Sequence, residues 1–573
     1  MVRLGHTDAS GGLSARGRHA GATARYRAFG FVSEETTGTL LERSADRFPA
    51  REALVDLSGG EPARFTYAES LDEVCRFATF LRRSGVERGD VVQIQAPNSA
   101  AVVFACWAAW RIGAVVNPVV DIYHTHELRH IVAQASPDVV VTVADHRGFG
   151  HAAAFDEVLA DQGRTLKARV TLGWTSWSAA VDNDGADAPR ATVDPDAPTL
   201  VLFTSGTTAR PKGAVHSNRT LIAETIQMAN GWSMGWMDRM HMPRPIAHIT
   251  GVLFALTVPV YRGGTVVLSR MVSMQQAVDE IVDHGITVTA IPPQAIPLLV
   301  ASYERAGIAS VPLRVLASGG TNVPAALIEA AEALGVRPCR IYGMTEMPTV
   351  TMPAPADTER QRLRTDGRIA PGCECEAVDP DTRLPRPTGS EGELRVRGPE
   401  LMLGYLDPGQ TGELFDGEGW FYTGDLGVVD DEGCVTVTGR IKDIINRGGK
   451  KFSARDIEDV VLALAGVAEI AVVASPDRRY GEVPVAFLVP AADPPPSENE
   501  LVAALRAAEV ASQKTPVRWH VIDELPKNAS GKVKKFELVA RLAAGAEDFI
   551  AGAKGQQRGK RGLHDVGVIA GAE

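Results

Sequence analysis

The stretch from Thr204 to Gly213, which reads TSGTTARPKG, concentrates residue types that bind an anionic group. Its small residues let backbone N–H groups approach phosphate oxygens, its hydroxyls can donate further hydrogen bonds, and Lys212 adds a positive charge. It follows an apolar run of strand type, Thr199–Phe203, and we expect a helix after it. No G-x-x-x-x-G-K-S/T motif occurs in the chain, which disfavours a Walker-type kinase or GTPase. The alternative is a surface turn rich in Ser, Thr and Gly.

Two acidic residues lie in short motifs further along the chain. Glu346 ends the motif YGMTE, and a carboxylate at a strand end suits Mg²⁺ beside phosphate groups. Asp425 ends the motif YTGD, where its two oxygens could accept hydrogen bonds from two sugar hydroxyls. The alternatives are a solvated residue near a helix cap for Glu346 and an Asx turn for Asp425.

Lys532 and His248 are the candidate catalytic residues with nitrogen side chains. Lys532 follows Ser530-Gly531, and its charge could lower the repulsion between a carboxylate and a phosphate group that approach each other. Several lysines surround it, so a solvated basic loop is the alternative. His248 lies in the motif PIAHITG, where a histidine in the core with its hydrogen bonds satisfied is the default interpretation.

Taken in order, these motifs resemble the signature of the adenylate-forming superfamily, which includes acyl-CoA synthetases, luciferases and peptide-synthetase adenylation domains. The resemblance covers residues 204 to 532, and the alternation of strands and helices upstream fits the same fold. The matching segments after the phosphate loop are Pro245–Gly251, Ser318–Thr321, Tyr342–Glu346, Tyr422–Asp425, Gly439–Asp443 and Pro526–Lys532.

The resemblance implies a role for each matching residue. ATP or AMP would be bound by Thr204, Ser205, Gly206, Thr207, Thr208, Lys212, Gly319, Gly320, Thr321, Tyr342, Gly343, Thr345, Asp425 and Arg440. The catalytic residues would be Lys532, His248, Glu346 and Thr208, of which Glu346 and Thr208 would hold Mg²⁺. His248, Ile249, Val252 and Met344 would line the acid pocket. Lys442 would be an interdomain hinge, and Gly448 and Gly449 would border a coenzyme A channel.

The residue after His248 bears on the acid that is activated. Superfamily members that activate amino acids carry Asp at this position, and those that activate dihydroxybenzoate carry Asn. This chain has Ile249, and a substrate ammonium group left unpaired beside it would be costly. We therefore expect an apolar acid, whether fatty, alicyclic or aromatic.

The acyl acceptor is expected to be coenzyme A, because only 41 residues (573 − 532) follow Lys532, too few for a carrier domain. A ligase that loads a separate carrier protein is the second hypothesis. The third is a non-catalytic nucleotide- or acyl-binding relative, suggested by Ala209, which stands where the superfamily usually has Gly. The stretch Lys451–Glu458 also lacks a proline that is common before the acidic helix.

The elements that must position these motifs predict an α/β protein. An apolar face from Leu71 to Leu81 predicts a helix, Val91–Gln95 a strand and Ser99–Ile112 a second helix, capped by Asn98 or Ser99. An amphipathic pattern predicts a further helix from Ala454 to Ala465. We expect a large N-terminal α/β domain with layered sheets at 29–439 and a small, mobile C-terminal α/β domain at 440–545. Residues 1–28 are expected to form a disordered tail and 546–573 a flexible one.

Composition and charge exclude several classes of partner. The chain has 573 residues, 45% hydrophobic and 23% charged, with a net charge of −11 that would not attract nucleic acid. The longest apolar stretch, Ala100–Trp110, is too short to span a bilayer, and no signal peptide is visible. Six scattered cysteines suit a reducing cytoplasm, and the pair Cys373 and Cys375 is read as small strand residues rather than as a redox pair. ATP, Mg²⁺, coenzyme A and a carboxylic acid are the expected ligands, and a homodimer is a further expectation.

Overall fold

The computed structural model describes residues 23–59, 61–172, 190–204, 211–270, 273–307, 311–319, 323, 325–354, 356–412, 414–491, 493–527 and 531–543. The chain divides into two compact units. The first comprises Met1–Thr423 with Gly427–Val437, and the second comprises Gly424–Leu426 with Thr438–Glu573. Among the described residues, no helix combines the length and apolar character that a membrane span requires.

Two seven-stranded sheets form the larger unit. The first has the order β13-β12-β11-β9-β10-β1-β2, and its neighbours pair in parallel except β1 with β2. Its strands are β1 (Glu52–Asp56), β2 (Ala63–Thr66), β9 (Arg239–Met242), β10 (Thr265–Leu268), β11 (Val288–Ala290), β12 (Val315–Gly319) and β13 (Arg337–Ile341). Their runs of buried apolar residues are typical of a parallel sheet covered on both faces.

The second large sheet has the order β18-β8-β7-β4-β3-β5-β6. Its strands are β3 (Val91–Gln95), β4 (Val115–Pro118), β5 (Val139–Val143), β6 (Ala168–Leu172), β7 (Pro198–Thr204), β8 (Lys212–Ser217) and β18 (Gly404–Tyr405). β7 and β8 form an antiparallel pair in which Thr204 lies opposite Lys212. The phosphate-loop segment therefore connects two strands of one hairpin.

The helices of this unit begin at the polar caps that the sequence offers. Thr66 accepts a hydrogen bond from Glu69 N at the start of one helix, and Ser99 and Ser217 cap two others. The α-helices are Thr23–Ala28, Thr37–Arg47, Tyr67–Arg83, Ala100–Arg111, Thr125–Ala135, His151–Asp161, Asn218–Gly231, Ile249–Val252, Val258–Arg262, Met274–Asp283, Ile296–Ala306, Ala325–Ala333, Glu359–Arg364 and Pro408–Gly412. Leu253–Thr257 is a π-helix and Pro293–Ala295 a 3₁₀ turn.

The helix Ala100–Arg111 explains the longest apolar stretch of the sequence. Its residues from Val102 to Trp110 are all buried in the main hydrophobic core. Trp107 Nε1 donates to Leu256 O at 3.0 Å, and Trp110 Nε1 donates to Thr199 O at 2.9 Å. A helix that is apolar on every side thus lies inside the protein core.

Two smaller sheets follow along the chain. β14 (Thr351–Met352) pairs with β15 (Arg368–Ile369). A four-stranded sheet has the order β16-β17-β19-β20, with β16 (Glu374–Val378), β17 (Gly392–Arg397), β19 (Phe421–Val429) and β20 (Val435–Arg440).

The smaller unit is a five-stranded sheet with helices on both faces. Its strands are β21 (Ile444–Arg447), β22 (Lys450–Ser453), β23 (Val467–Asp477), β24 (Gly481–Pro490) and β25 (Arg518–Val521), and its helices are Arg455–Leu462, Glu498–Ala507 and Lys535–Ala543. Val472 on β23 packs in a cluster with Ile457, whereas its neighbour Val473 packs in a cluster with Leu538. Alternate residues of one strand thus bury opposite faces of the sheet. Ile441–Asp443 and Ser512–Lys514 are 3₁₀ turns.

The predicted α/β class, with a large N-terminal and a small C-terminal domain, is confirmed, and three local expectations are wrong. A strand, β8, follows the phosphate loop instead of a helix, because Lys212–Ser217 pairs with β7 before the helix Asn218–Gly231 begins. Residues 23–28 do not belong to a disordered tail, since they form a helix whose Tyr26 is buried in the core. The helix predicted from Ala454 to Ala465 is shorter and spans Arg455–Leu462.

Candidate active site

Several predicted site residues follow the carboxyl ends of neighbouring parallel strands. His248 and Ile249 come after β9, Gly319 ends β12, and the motif at 342–346 follows β13. In an open α/β sheet, ligands bind outside the carboxyl ends of the strands, because the loops there meet at one edge. The topology therefore brings the predicted acid-pocket and nucleotide segments to one edge of the first sheet.

A tight turn holds Thr345 and Glu346. Met344 N donates to Met347 O at 3.0 Å, and Met347 N donates to Met344 O at 3.2 Å. At the base of the turn, Tyr342 N donates to Thr351 Oγ1 at 3.0 Å, and Val350 N donates to Tyr342 O at 2.9 Å. The turn thus presents Thr345 and Glu346 from a closed loop of hydrogen bonds.

Glycine is required in this segment by close approach of the backbone. A Cβ on Gly343 would lie 1.9 Å from Pro348 O, and one on Gly319 would lie 2.6 Å from Ile341 O. Real Cβ atoms do not approach backbone oxygens so closely, so these two predicted nucleotide-site glycines are also packing requirements.

Lys212, Tyr405 and Glu346 are linked through one aromatic ring. Lys212 Nζ lies 5.1 Å from the centroid of the Tyr405 ring, and Tyr405 Oη donates to Glu346 Oε1. Tyr405 is buried, and its strand β18 pairs with β8, which carries Lys212. Burial and the Glu346 charge raise the pKa of Tyr405, so its hydroxyl keeps its proton and remains a donor.

His216 fixes the turn from the same strand as Lys212. Its Nε2 lies 2.8 Å from Thr345 O, and since a carbonyl only accepts, Nε2 carries the proton. Its Nδ1 lies 3.2 Å from Thr220 Oγ1. Burial lowers the pKa of His216 to about 4, so the ring is neutral near pH 7 and acts as a structural donor.

The segment after β9 places the predicted acid-pocket residues. Asn98 holds it on both sides: its Nδ2 donates to Arg244 O at 2.7 Å, and its Oδ1 accepts from Ile246 N at 2.9 Å. His248 is half-buried and caps the helix Ile249–Val252, since Thr250 N donates to its Nδ1 at 3.3 Å. Ile249 and Val252 are buried, whereas Met344 is half-buried.

Four predicted site residues with charged side chains lie in the smaller unit: Asp425, Arg440, Lys442 and Lys532. Arg440 Nε lies 2.8 Å from Asp425 Oδ1, and Asp425 is buried. Partial burial of the ammonium group, together with the charges of Arg440 and Lys532, lowers the pKa of Lys442 to about 8. Asp425, Arg440, Lys442 and Lys532 are therefore within electrostatic range of one another, although their sequence positions span more than a hundred residues.

Gly448 and Gly449 form the turn of the hairpin between β21 and β22. Their φ angles are +60° and +83°, which glycine adopts readily and which suit a two-residue hairpin turn. Gly448 N donates to Tyr480 O at 2.7 Å. Backbone geometry is sufficient to account for both glycines, so their role in a coenzyme A channel stays a prediction.

Some predicted site residues lie outside the part of the chain that the structure describes. They are Ser205, Gly206, Thr207, Thr208, Ala209, Gly320 and Thr321. The described ends of the phosphate loop are Thr204 and Pro211, and Pro211 O lies 2.8 Å from His130 Nε2.

The donor set near Glu346 fits a hard divalent cation. Its Oε1 accepts from Tyr405, and no described residue donates a hydrogen bond to its Oε2. Carboxylate oxygens are the ligands that Mg²⁺ prefers, and Mg²⁺ commonly uses one or two carboxylates together with phosphate oxygens. No group of three metal-ligating side chains occurs among the described residues.

Sequence reasoning missed Tyr405 and His216. His216 directly follows the apolar run Gly213–Val215 on β8, and a polar residue that continues such a run marks a buried side chain in need of a partner. Tyr405 lies in the segment GPELMLGY, which carries no comparable signal in one sequence. Its partner Glu346 is 59 positions away, so the contact depends on the pairing of β18 with β8.

Comparison with known proteins places this chain in a family. The sequence profile of the AMP-binding enzyme family matches residues 41–406, and that of the AMP-binding enzyme C-terminal domain matches residues 456–532. The chain therefore belongs to the AMP-binding enzyme family, within the adenylate-forming superfamily, and the enzyme is an acid:CoA ligase (AMP-forming).

Individual relatives differ in the acids that they are named for. The chain is 33% identical over 506 residues to indoleacetate–CoA ligase of Aromatoleum aromaticum, covering 87% of this chain and 96% of the relative. It is 30% identical over 530 residues to medium-chain fatty-acid–CoA ligase of Escherichia coli, covering 90% and 92%. Among solved structures, ATP-bound MatB from Rhodopseudomonas palustris has a TM-score of 0.79 at 27% identity, covering 88% of this chain and 98% of that one.

Proposed function

We propose that this protein activates an apolar carboxylic acid with Mg·ATP to an acyl-adenylate and then transfers the acyl group to coenzyme A. The observation that carries the substrate class is the buried pair Ile249 and Val252, which follows the half-buried His248 at the carboxyl edge of the first sheet. Apolar side chains there favour an acid without an amine or a second charge. Indoleacetate and medium-chain fatty acids, after which two relatives are named, have this character.

Each residue of the proposed mechanism acts through charge or position. Lys532 lowers the repulsion between the carboxylate and the α-phosphate during adenylation. Glu346, oriented by Tyr405, supplies a carboxylate for Mg²⁺, which neutralises phosphate charge when bound. Lys212 and Thr204 bind phosphate oxygens, Asp425 binds the ribose hydroxyls, and His248 borders the entrance to the acid pocket. The loop residues Ser205 to Thr208 are proposed to complete the phosphate site, with Thr208 as a second magnesium ligand.

We assign coenzyme A, rather than a carrier protein, as the acceptor of the acyl group, because the relatives above are named as coenzyme A ligases. Gly448 and Gly449, at the tip of a hairpin in the smaller unit, are proposed to border the path of the pantetheine chain. A carrier-loading ligase would form acyl-adenylate readily and show no turnover with coenzyme A.

A pyrophosphate-release screen over fatty, alicyclic and aromatic acids tests the proposal. We expect release that depends on the acid and on Mg²⁺, and an acyl-CoA product when coenzyme A is present. Short dicarboxylic acids serve as the comparison set and should release little pyrophosphate. Absence of release with every acid would favour a non-catalytic relative.

Ile249→Asp tests the apolar pocket directly. A buried carboxylate at this position would repel the anionic end of the substrate and face its apolar body, so kcat/KM should fall roughly 100-fold. Ile249→Leu is the matched control and should retain most activity. An Asp variant with unchanged kcat/KM for the native acid would show that Ile249 does not line the pocket.

A further inference from the structure

Two glutamates in the interior of the larger unit have no cationic partner among the described residues. Glu224, on the helix Asn218–Gly231, and Glu400, after β17, each have no exposed surface. No salt bridge to either carboxyl group occurs among the described residues. Two buried carboxylates that are both ionised would be costly, because neither has a cation to compensate for the water that it has lost.

Each carboxyl group has one satisfied oxygen and one unsatisfied oxygen. Glu224 Oε1 accepts from Thr349 Oγ1 at 2.7 Å, and Glu400 Oε1 accepts from Cys373 Sγ at 2.8 Å. Gln227 Nε2 also approaches Glu400 Oε1, at 3.4 Å. The Oε2 atoms of both glutamates are buried and have no hydrogen-bond partner among the described residues. A proton held by one carboxyl group is the donor that this cluster lacks.

The titratable groups of the cluster act on one another from three separate segments. Burial and the charge of Glu400 raise the pKa of Glu224, and burial raises the pKa of Glu400. Burial and both glutamates raise the pKa of Cys373, so its thiol stays protonated and donates. All three shifts favour the protonated forms.

The cluster is connected to the turn that carries Glu346 by two routes. Thr349 is buried, and besides its bond to Glu224, its carbonyl accepts from Gln227 Nε2 at 3.2 Å. Two residues beyond Glu400, Met402 N donates to Glu346 O at 2.8 Å. Packing there is close, since a Cβ on Gly398 would lie 2.5 Å from Met347 Cε and 3.0 Å from Glu400 Oε2. A change in the charge of the pair would therefore be transmitted to the turn.

We propose that Glu224 and Glu400 hold one proton between them and act as positioning residues that fix the 343–349 turn, and with it Glu346, for nucleotide binding. This inference rests on the proposed role of Glu346. It adds two buried acids that touch no substrate to the residues on which adenylation depends. Glu400→Gln replaces this proton with an amide N–H, a donor that does not titrate. The variant should therefore keep the turn in place at every pH.

The sign of the pH effect follows from the direction of the shifts. A carboxyl group whose pKa is raised in the folded state stabilises that state below its unfolded pKa, and this stabilisation is lost as pH rises through the folded value. The stabilisation that the two carboxyl groups give to the folded state should therefore decrease at alkaline pH. Both the melting temperature of the nucleotide-free protein and its affinity for Mg·ATP should fall there.

The test compares the wild type with Glu400→Gln and with Glu280→Gln between about pH 6 and about pH 9. Glu280, on the helix Met274–Asp283, is a matched control, because it is buried but paired with His241 of β9 at 3.0 Å. Titration calorimetry with Mg·ATP alone measures affinity without any choice of acid. We expect the wild type and Glu280→Gln to lose roughly tenfold in affinity as pH rises, and Glu400→Gln to lose less than about twofold.

A second pair of variants keeps the inference testable if Glu400→Gln does not fold. Thr349→Val removes the hydroxyl that joins Glu224 to the turn, and Thr349→Ser retains it. The Val variant should bind Mg·ATP about tenfold more weakly, and the Ser variant should recover most of the loss. Parallel pH profiles for the wild type and Glu400→Gln, or equal affinities for the two Thr349 variants, would overturn the inference.

The test of the Glu224–Glu400 pair can fail or succeed independently of the test of the proposed function. Failure of every acid in the pyrophosphate screen would refute the acyl-CoA synthetase activity and leave the Mg·ATP and melting measurements intact. If Mg·ATP affinity no longer falls with pH in Glu400→Gln, and the wild type releases pyrophosphate in an acid-dependent way, both the inference and the proposed function are supported.

Discussion

At the scale of single residues, we predict that the charge of Lys532 is needed for adenylation and is not needed for thioester formation. Lys532→Ala should lower acyl-adenylate formation by roughly 100-fold or more, because the cation is required where the carboxylate meets the α-phosphate. Acyl transfer from a supplied acyl-adenylate to coenzyme A should remain near the wild-type rate. Single-turnover measurements of the two half-reactions check this, and equal losses in both would contradict the assigned role. Lys534→Ala, which removes a neighbouring charge paired with Glu537, is the control.

Tyr405 tests whether the orientation of Glu346 matters for the nucleotide. Tyr405→Phe removes the hydroxyl that donates to Glu346 Oε1 and keeps the ring beside Lys212. A hydrogen bond to a charged group contributes about 1.5–3 kcal/mol, so KM for Mg·ATP should rise roughly tenfold or more while KM for the acid changes little. Steady-state kinetics with each substrate varied gives the comparison. Tyr261→Phe, whose ring contacts Arg43 and Arg262, should leave both constants unchanged.

At the scale of elements, the site depends on turns that connect strands at one sheet edge. The closed turn from Tyr342 to Val350 and the segment held by Asn98 both follow parallel strands of the first sheet. His216 and Tyr405 contact that turn from two paired strands of the second sheet. The two large sheets therefore jointly determine where Thr345 and Glu346 lie.

Gly343→Ala tests the packing of this turn. A Cβ would lie 1.9 Å from Pro348 O, and a backbone atom cannot move aside as a flexible side chain can. The free energy of unfolding should fall by about 1–3 kcal/mol, and Mg·ATP affinity should fall with it because the turn must shift. Chemical denaturation and calorimetry measure the two effects. Gly417→Ala, where a Cβ would meet nothing within 4 Å, is the matched control and should be nearly neutral.

At the scale of the whole molecule, Lys442 is predicted to be the hinge about which the small domain moves between the two steps of the proposed reaction. Lys442 is the central residue of the 3₁₀ turn Ile441–Asp443, whose hydrogen bond is donated by Ile444 N to Ile441 O. Backbone φ angles in 3₁₀ turns lie near the value that proline imposes. Proline at 442 is therefore compatible with the conformation described here and incompatible with a large change in φ.

Lys442→Pro should trap one of the two states. One half-reaction should proceed near the normal rate and the other should be slowed by orders of magnitude, in a variant that still melts cooperatively. Lys442→Ala removes the charge without fixing φ and is the control, which should retain both half-reactions. Survival of both half-reactions in the Pro variant would contradict a pivot at this residue.

The sequence by itself determined the fold class, the enzyme family and the order of the motifs. These follow from local features: apolar periodicity predicts helices and strands such as Val91–Gln95, and a run of small and hydroxyl residues with a lysine is typical of a phosphate-binding loop. Seven motifs in order were sufficient to indicate the superfamily. The sequence also limited the cap of the helix after Val91–Gln95 to Asn98 or Ser99, because capping depends on neighbouring residues only, and the structure has Ser99.

Tertiary structure decided which distant residues meet. We predict a helix after the phosphate loop, whereas Lys212–Ser217 forms a strand because it pairs with β7. No pattern within Lys212–Ser217 indicates that pairing. His216 contacts Thr345 across 129 positions, and Glu224 contacts Thr349 across 125. Such contacts depend on how sheets and helices pack. A buried glutamate or histidine in one sequence shows only that it needs a partner, and the fold determines which partner it has.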